Sequence, residues 1–177
     1  MKYIDHLVKS MEYIAEDPRA IFIGQSVAYS GNSIYNTLKT ISKDRKIETP
    51  VFEETQMGLS IGLAMEGYIP VTCYPRFDFL LLAVNQLVNH LDKMEEMTRG
   101  VFKPRVIVRT SIGAKVPLNG GVQHTKDHTE AFRHLLDNVD VVLLEDKNDI
   151  FPAYKKALER EDSKSTLIVE FGEYYNQ

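Results

Sequence analysis

Residues 48–67, with the sequence ETPVFEETQMGLSIGLAMEG, decide the fold expected for this chain. A short extended piece leads into two adjacent acids, Glu53 and Glu54, and small and apolar residues then recur at helical spacing. Gly58 and Gly62 lie four residues apart and therefore on one face of the helix, where another backbone can approach closely. The stretch predicts a strand-to-helix connection with a carboxylate at the start of the helix.

The acid at this helix start has two interpretations on the residues alone. A helix N-terminus stabilises a carboxylate through its free N–H groups, which makes Glu53 or Glu54 a candidate first-turn acid. A carboxylate at the mouth of such a turn is also a candidate catalytic group. The spacing favours the first interpretation and leaves the second open.

Composition describes an ordinary globular domain and excludes several classes of protein. Of the 177 residues, 44% are hydrophobic and 26% are charged, which suits one domain with a buried core. The net charge of −4 argues against nucleic-acid binding, which needs a basic face. Because Cys73 is the only cysteine, we predict neither a disulfide framework nor a zinc site. The sequence has no apolar run of membrane-spanning length and no signal-peptide pattern, so we expect a cytoplasmic protein.

Helical and strand patterns alternate along the chain. After an N-terminal helix through Ile14, short apolar runs predict strands over 20–23, 69–74, 105–110, 139–144 and 166–171. Amphipathic patterns predict helices over 33–41, 54–66, 79–97, 127–136 and 148–160. This alternation predicts a single doubly wound α/β domain over residues 1–177, with a mostly parallel sheet and helices on both faces. The loop 110–126 is long for a compact domain, and loops of that length are often functional.

Two further blocks follow the glycine-bearing helix in the order and at nearly the spacing of a known family. The first block contains Phe77, Phe79, Ala83, Asn85, Gln86 and Asn89, and the second contains Arg109, Gly113, Gln123, His124 and Thr125. With residues 48–67, they resemble the pyrimidine-binding domain of thiamine-diphosphate enzymes, whose motifs are TPITE, G-x-A-x-G-x-A-x-x-G, F-x-F…A-x-D-Q-x-x-N and R…G…QHSQ. The likeness runs from roughly residue 20 to 171. It is greatest to the beta subunits of 2-oxoacid dehydrogenases such as pyruvate dehydrogenase, and extends more distantly to the middle domain of transketolase.

The resemblance implies roles for three side chains. Glu53 takes the place of the family's glutamate, which bonds ring nitrogen N1′ of the cofactor and makes its aminopyrimidine a competent base. The spacing to the helix glycines selects it over Glu54. Phe79 takes the place of the aromatic that stacks on the pyrimidine ring, and Phe77 is the packing alternative and second candidate for cofactor binding.

His124 matches the histidine of the QHSQ block, which implies a proton donor or oxyanion partner for the substrate-derived intermediate. Thr125 and His128 are secondary candidates beside it. We predict no metal site at the two histidines, because no third ligand lies nearby in the sequence. Four cations are candidates for contacting a substrate phosphate or carboxylate, although solvated charges are the stronger interpretation: Arg76, Lys115, Lys126 and Arg133.

Departures from the family pattern shape the functional prediction. Gln25 stands where the family's first strand usually ends in an acid implicated in proton traffic. The sequence also lacks the GDG…N motif that holds the cofactor diphosphate and Mg²⁺, and it stops at Gln177 without the family's second domain. We therefore expect a subunit of a two-chain enzyme, a heterotetramer with a pyrophosphate-binding alpha-type subunit that shares or supplies thiamine diphosphate and Mg²⁺.

The predicted activity is acyl or aldehyde transfer, decarboxylation or carboligation on a 2-oxoacid or a ketose. The alternative is a non-catalytic paralogue that serves as an interaction or regulatory subunit. Retention of Glu53, Phe79 and His124 argues for the enzyme.

Overall fold

The computed structural model describes residues 1–116 and 119–176. Six strands form one sheet in the order β2-β1-β3-β4-β6-β5, and every neighbouring pair is parallel. The strands are β1 (Ala20–Gly24), β2 (Lys46–Glu48), β3 (Ile69–Tyr74), β4 (Ile107–Ile112), β5 (Asp140–Leu143) and β6 (Thr166–Phe171). The doubly wound α/β prediction is confirmed, and the sheet is wholly parallel.

Helices cover both faces of the sheet. The α-helices are α1 (Tyr3–Ala15), α2 (Ser33–Thr37), α3 (Glu53–Met65), α4 (Phe77–Leu80), α5 (Met94–Met97), α6 (Thr129–Leu135) and α7 (Lys147–Glu159). Apolar residues of α1, α2 and α7 form one core with the sheet, and those of α3, α4 and α6 form the other. In the described ranges, no helix is long and apolar enough to cross a membrane.

Three elements of the structure differ from the prediction. Strand β2 was not predicted, because it is a three-residue edge strand too short to give a clear apolar pattern; it ends at Glu48, where the extended piece before Glu53 begins. The predicted helix 79–97 begins instead at Phe77 and is interrupted by a 3₁₀ turn (Leu81–Ala83) and a π-helix (Asn85–Leu91). Its apolar face still packs on the core, so the change in hydrogen bonding leaves burial intact. Helix α2 is also shorter than predicted and ends at Thr37.

The carboxyl ends of all six strands meet at one edge because the sheet is parallel. The loops that leave this edge follow β1, β2, β3 and β4, and they carry the residues that the sequence singles out. Ligands of open α/β sheets bind at this kind of edge. The fold therefore places the candidate site at the end of the sheet where α3 and α4 begin.

A fully buried ion pair ties β4 to β6 beneath that edge. Arg109 donates to both carboxylate oxygens of Glu170, at 2.7 and 3.0 Å, and its third nitrogen donates to Thr37 at 2.7 Å. The hydroxyls of Tyr154 and Tyr175 donate to the same carboxylate. Burial alone would lower the pKa of the Arg109 guanidinium, but the charge of Glu170 holds that pKa well above its usual range.

Glu170→Gln is expected to lower the free energy of unfolding by about 3 kcal/mol or more, because it leaves a buried guanidinium without its counter-charge. Urea denaturation of the isolated chain measures the effect. Glu130→Gln is the matched control, since its ion pair with Arg133 is exposed and should change stability by less than about 1 kcal/mol. Equal shifts in the two variants would contradict a stabilising role for the buried pair.

Candidate functional site

Glu53 is the first residue of α3 and lies half-buried at the carboxyl edge of the sheet. Within the described ranges its carboxylate has no hydrogen-bond partner, and its backbone carbonyl accepts from the hydroxyl of Tyr74 at 3.0 Å. Glu54 is exposed and accepts from Asn85 Nδ2 at 3.2 Å. Phe52 occupies the N-cap position, and its side chain makes no capping hydrogen bond. Glu53 therefore presents a free carboxylate, whereas Glu54 is tied to the π-helix.

A buried side chain fixes the position of α3 against the sheet. Gln56 Nε2 donates to Thr72 Oγ1 at 2.9 Å and to the carbonyl of Cys73 at 3.1 Å, both on β3. Burial raises the pKa of the Tyr74 phenol, so its hydroxyl remains a donor to the first turn of α3. Burial likewise raises the pKa of the Cys73 thiol to about 12, which keeps it uncharged at neutral pH.

The two candidate aromatics have different environments. Phe77 has no exposed surface and packs against Phe132 in the core, with ring centroids 5.2 Å apart. Phe79 is half-buried, and its ring meets the ring of His124 edge-on with centroids 5.4 Å apart. The structure thus brings Phe79 and His124 together. No hydrogen bond or ring contact in the described part of the chain joins either of them to Glu53.

The backbone of His124 is held by close packing against a glycine. Gly113 is buried, and a Cβ at that position would overlap the carbonyl oxygen of His124. Arg76 Nη1 donates to the same oxygen at 3.2 Å. The ring atom His124 Nδ1 is buried without a hydrogen-bond partner in the described part of the chain. A buried polar atom left unpaired is costly, so the imidazole of His124 has hydrogen-bonding capacity that the described residues do not use.

His128 pairs with an acid rather than with a metal-ligand set. Its Nε2 lies 3.1 Å from Asp78 Oδ1, and both side chains are only 13% exposed. Among the described residues, no group of three histidine, cysteine or acidic side chains could hold a metal ion. The hydroxyl of Thr125 donates to the Gly121 carbonyl at 3.2 Å.

The four candidate cations differ in burial and in the groups that they contact. Arg76 is half-buried and borders a cavity of about 330 Å³ at the carboxyl edge of the sheet. Arg133 pairs with Glu130 on α6, and Lys115 and Lys126 are exposed. Arg76 is thus the one of these four that lines the cavity.

Two acids near this edge were missed by the sequence analysis. Glu48, the last residue of β2, accepts from the backbone N–H groups of Ser26, Val27 and Ala28, at 2.5, 2.9 and 2.8 Å, and holds the loop after β1. Asp78 is the partner of His128, 50 residues away. Neither acid lies in a spacing pattern that would have predicted its contact, because each contact depends on how the segments pack.

Comparison with known proteins gives one family model over nearly the whole chain. The model described as "Transketolase, pyrimidine binding domain" matches residues 10–175. A 3-methyl-2-oxobutanoate dehydrogenase subunit beta from Mycobacterium tuberculosis is 33% identical over 125 residues, 67% of this chain and 34% of that protein. The mitochondrial pyruvate dehydrogenase E1 component subunit beta of Ascaris suum is 32% identical over 157 residues, 86% of this chain and 42% of that protein.

The fold is shared with larger solved structures. The transketolase of Campylobacter jejuni superposes with a TM-score of 0.72 at 15% identity, over 96% of this chain and 25% of the other. At that identity the likeness concerns the fold alone. This chain spans less than half the length of the two curated relatives, 34% and 42% respectively.

Proposed function

The chain belongs to the family of transketolase pyrimidine-binding domains, and from that premise we propose that it forms the pyrimidine half of a thiamine-diphosphate site that a second chain completes. The observation that carries the proposal is the free carboxylate of Glu53 at the carboxyl edge of the sheet, beside a neighbouring acid that is already bonded. The substrate is a 2-oxoacid or a ketose, and the reaction is acyl or aldehyde transfer, decarboxylation or carboligation. The relatives named as dehydrogenase beta subunits support this class.

The residues present fit the aminopyrimidine half of that cofactor. Its ring requires a carboxyl group at nitrogen N1′ and an apolar face, and Glu53 and the half-buried ring of Phe79 supply these two features. When bound, thiamine diphosphate supplies a thiazolium carbon that becomes a nucleophile on losing its proton. Phe77 supports α4 from the core, so Phe79 is the aromatic that we assign to the cofactor.

Glu53 holds a proton at the ring nitrogen, and its position at the first turn of α3 suits that task. The carboxylate has no internal partner in the described part of the chain, so contact with a ligand replaces no existing hydrogen bond. Helix α3 itself is anchored to β3 through Gln56, which keeps the carboxylate in place. His124 donates a proton to the reacting substrate fragment through a ring that is already partly desolvated.

The second chain is a pyrophosphate-binding, alpha-type subunit, and we propose a heterotetramer. We propose that the partner carries the GDG motif, which residues 1–177 do not contain, and holds the diphosphate and Mg²⁺. The partner docks on what we call the α3 face, a groove of about 650 Å³ that includes Gly58 and Gly62. Nothing in the described part of the chain packs within 4 Å of a Cβ placed at Gly62. The large apolar side chains of Leu59 and Tyr68 line the groove and remain exposed, and Val51 and Phe52, just before α3, are exposed as well.

Calorimetry of thiamine diphosphate with the isolated chain is expected to give weak binding or none, because only half of the site is present. Addition of a chain that carries the GDG motif should produce Mg²⁺-dependent binding. Tight, Mg²⁺-dependent binding by the isolated chain would contradict the proposal that two chains share the site. If the two chains assemble and the complex binds no cofactor, the non-catalytic, regulatory role is the correct one.

A further inference from the structure

Residues 76–79 and residues 124–128 contact each other at four points, and we call this pair of segments the clasp. The four contacts are Arg76 Nη1 with the His124 carbonyl, the Phe79 ring with the His124 ring, the Asp78 carboxylate with the His128 ring, and the Phe77 ring with the His128 ring. Along α4, Phe77 thus packs in the core, Asp78 contacts His128, and Phe79 contacts His124. The two segments are about 50 residues apart in the sequence, so only the fold brings them together.

The clasp matters for His124 because no hydrogen bond within the described residues holds its imidazole. Nδ1 is buried without a partner, and the ring touches Phe79 only edge-on. Its orientation therefore depends on where the loop backbone lies. Gly113 and Arg76 fix that backbone at the His124 carbonyl, which is the first of two anchor points.

The second anchor is the Asp78–His128 pair, four residues further along the loop. Because a carboxylate only accepts, His128 Nε2 carries the hydrogen and donates it to Asp78 Oδ1 over 3.1 Å. Both side chains are 87% shielded from solvent, given their exposure of 13%, so water screens the contact only weakly. The other oxygen of Asp78 is buried and has no partner among the described residues, which makes this bond the carboxylate's one connection to the loop there.

We propose that Asp78 and His128 are positioning residues, whose hydrogen bond fixes the loop so that the imidazole of His124 stays against the ring of Phe79. The importance of this contact for catalysis rests on the proposed function, in which His124 is the proton donor and Phe79 stacks on the cofactor. The position of the loop is a property of the isolated chain. It is therefore measurable without cofactor, substrate or partner.

Proton NMR of the isolated chain tests the positioning directly. The wild type should show a nuclear Overhauser effect between the ring protons of His124 and Phe79, since their centroids are 5.4 Å apart. Asp78→Ala and His128→Ala should each remove it, and the double variant should behave like either single variant because the two residues act as one unit. Asp78→Asn keeps an acceptor oxygen for the His128 donor and should restore the effect.

The control variant is Glu130→Ala, which breaks an exposed ion pair on α6, near the loop but outside the clasp. It should leave the ring-to-ring signal unchanged. If Asp78→Ala and His128→Ala both keep the signal, even with a lowered melting temperature, the pair is merely structural and the inference is wrong. Loss of the signal in Asp78→Asn would also overturn it, because that variant retains the hydrogen bond.

Turnover of the assembled two-chain enzyme separates this inference from the proposed function. If His124 donates a proton, the displaced loop in His128→Ala should lower kcat by up to roughly 10²-fold at unchanged cofactor affinity, as expected for a misplaced catalytic group. Loss of the NMR signal with unchanged kcat would contradict the role proposed for His124, and it would still support the positioning of the loop by Asp78 and His128.

Discussion

Glu53→Gln is expected to slow hydrogen–deuterium exchange at the thiazolium carbon of thiamine diphosphate by roughly 10²- to 10⁴-fold in the assembled complex. The amide keeps the shape of the side chain and one hydrogen bond, but it does not exchange a proton with ring nitrogen N1′. Exchange followed by NMR reports this step before any substrate is added. The measurement therefore depends on Glu53 and is independent of the identity of the substrate.

Folding and partner binding should survive this substitution. Glutamine is nearly isosteric with glutamate, and the Glu53 carboxylate makes no hydrogen bond in the described part of the chain that the change would break. The contact between Tyr74 and the first turn of α3 involves the backbone carbonyl and remains in place. Sedimentation of the complex and its melting temperature should match those of the wild type.

Glu54→Gln is the control for this measurement, because the two acids are adjacent and only one is free. Its carboxylate already accepts from Asn85, and an amide oxygen can accept the same hydrogen bond. Exchange should therefore stay near the wild-type rate. If Glu54→Gln is the slower variant, the activating carboxylate is one residue further along. If neither variant slows exchange, the chain is not the activating half of a thiamine enzyme.

The second large effect is expected at His124. His124→Ala should leave cofactor affinity nearly intact and lower turnover by roughly 10²- to 10⁴-fold, the range for a lost general acid–base group. The ring lies against Phe79 and has an unpartnered buried nitrogen, so truncation removes a proton donor from a partly dry site. Single-turnover kinetics, with cofactor binding measured separately by calorimetry, distinguish the two quantities.

The matched control for this histidine is His134→Ala, in the last turn of α6, where the side chain is exposed and outside the proposed site. It should change neither quantity. Unchanged turnover in His124→Ala together with weaker assembly would assign His124 to the interface between chains. Loss of cofactor binding would instead place the imidazole in direct contact with the cofactor.

Much of the fold follows from local patterns in the sequence. The apolar runs of β1 and β3 predict buried parallel strands because a strand covered on both faces has no alternation. The change to helical spacing after the extended piece predicts a helix over 54–66, and α3 begins one residue earlier, at Glu53. The sequence did not reveal that the helix predicted over 79–97 is interrupted, because its apolar residues keep nearly helical spacing through the π-helix.

In the candidate site, too, some features were predicted from the sequence and others depend on the tertiary structure. The resemblance to the family, which depends on the order and spacing of motifs in the sequence, predicts Glu53, Phe79 and His124 as site residues. Tertiary structure decided that Phe77 lies in the core, that Glu54 is bonded, and that Asp78 meets His128. These outcomes depend on contacts between segments tens of residues apart. Such contacts form only when the sheet brings its carboxyl ends to one edge, and short-range spacing contains no information about them.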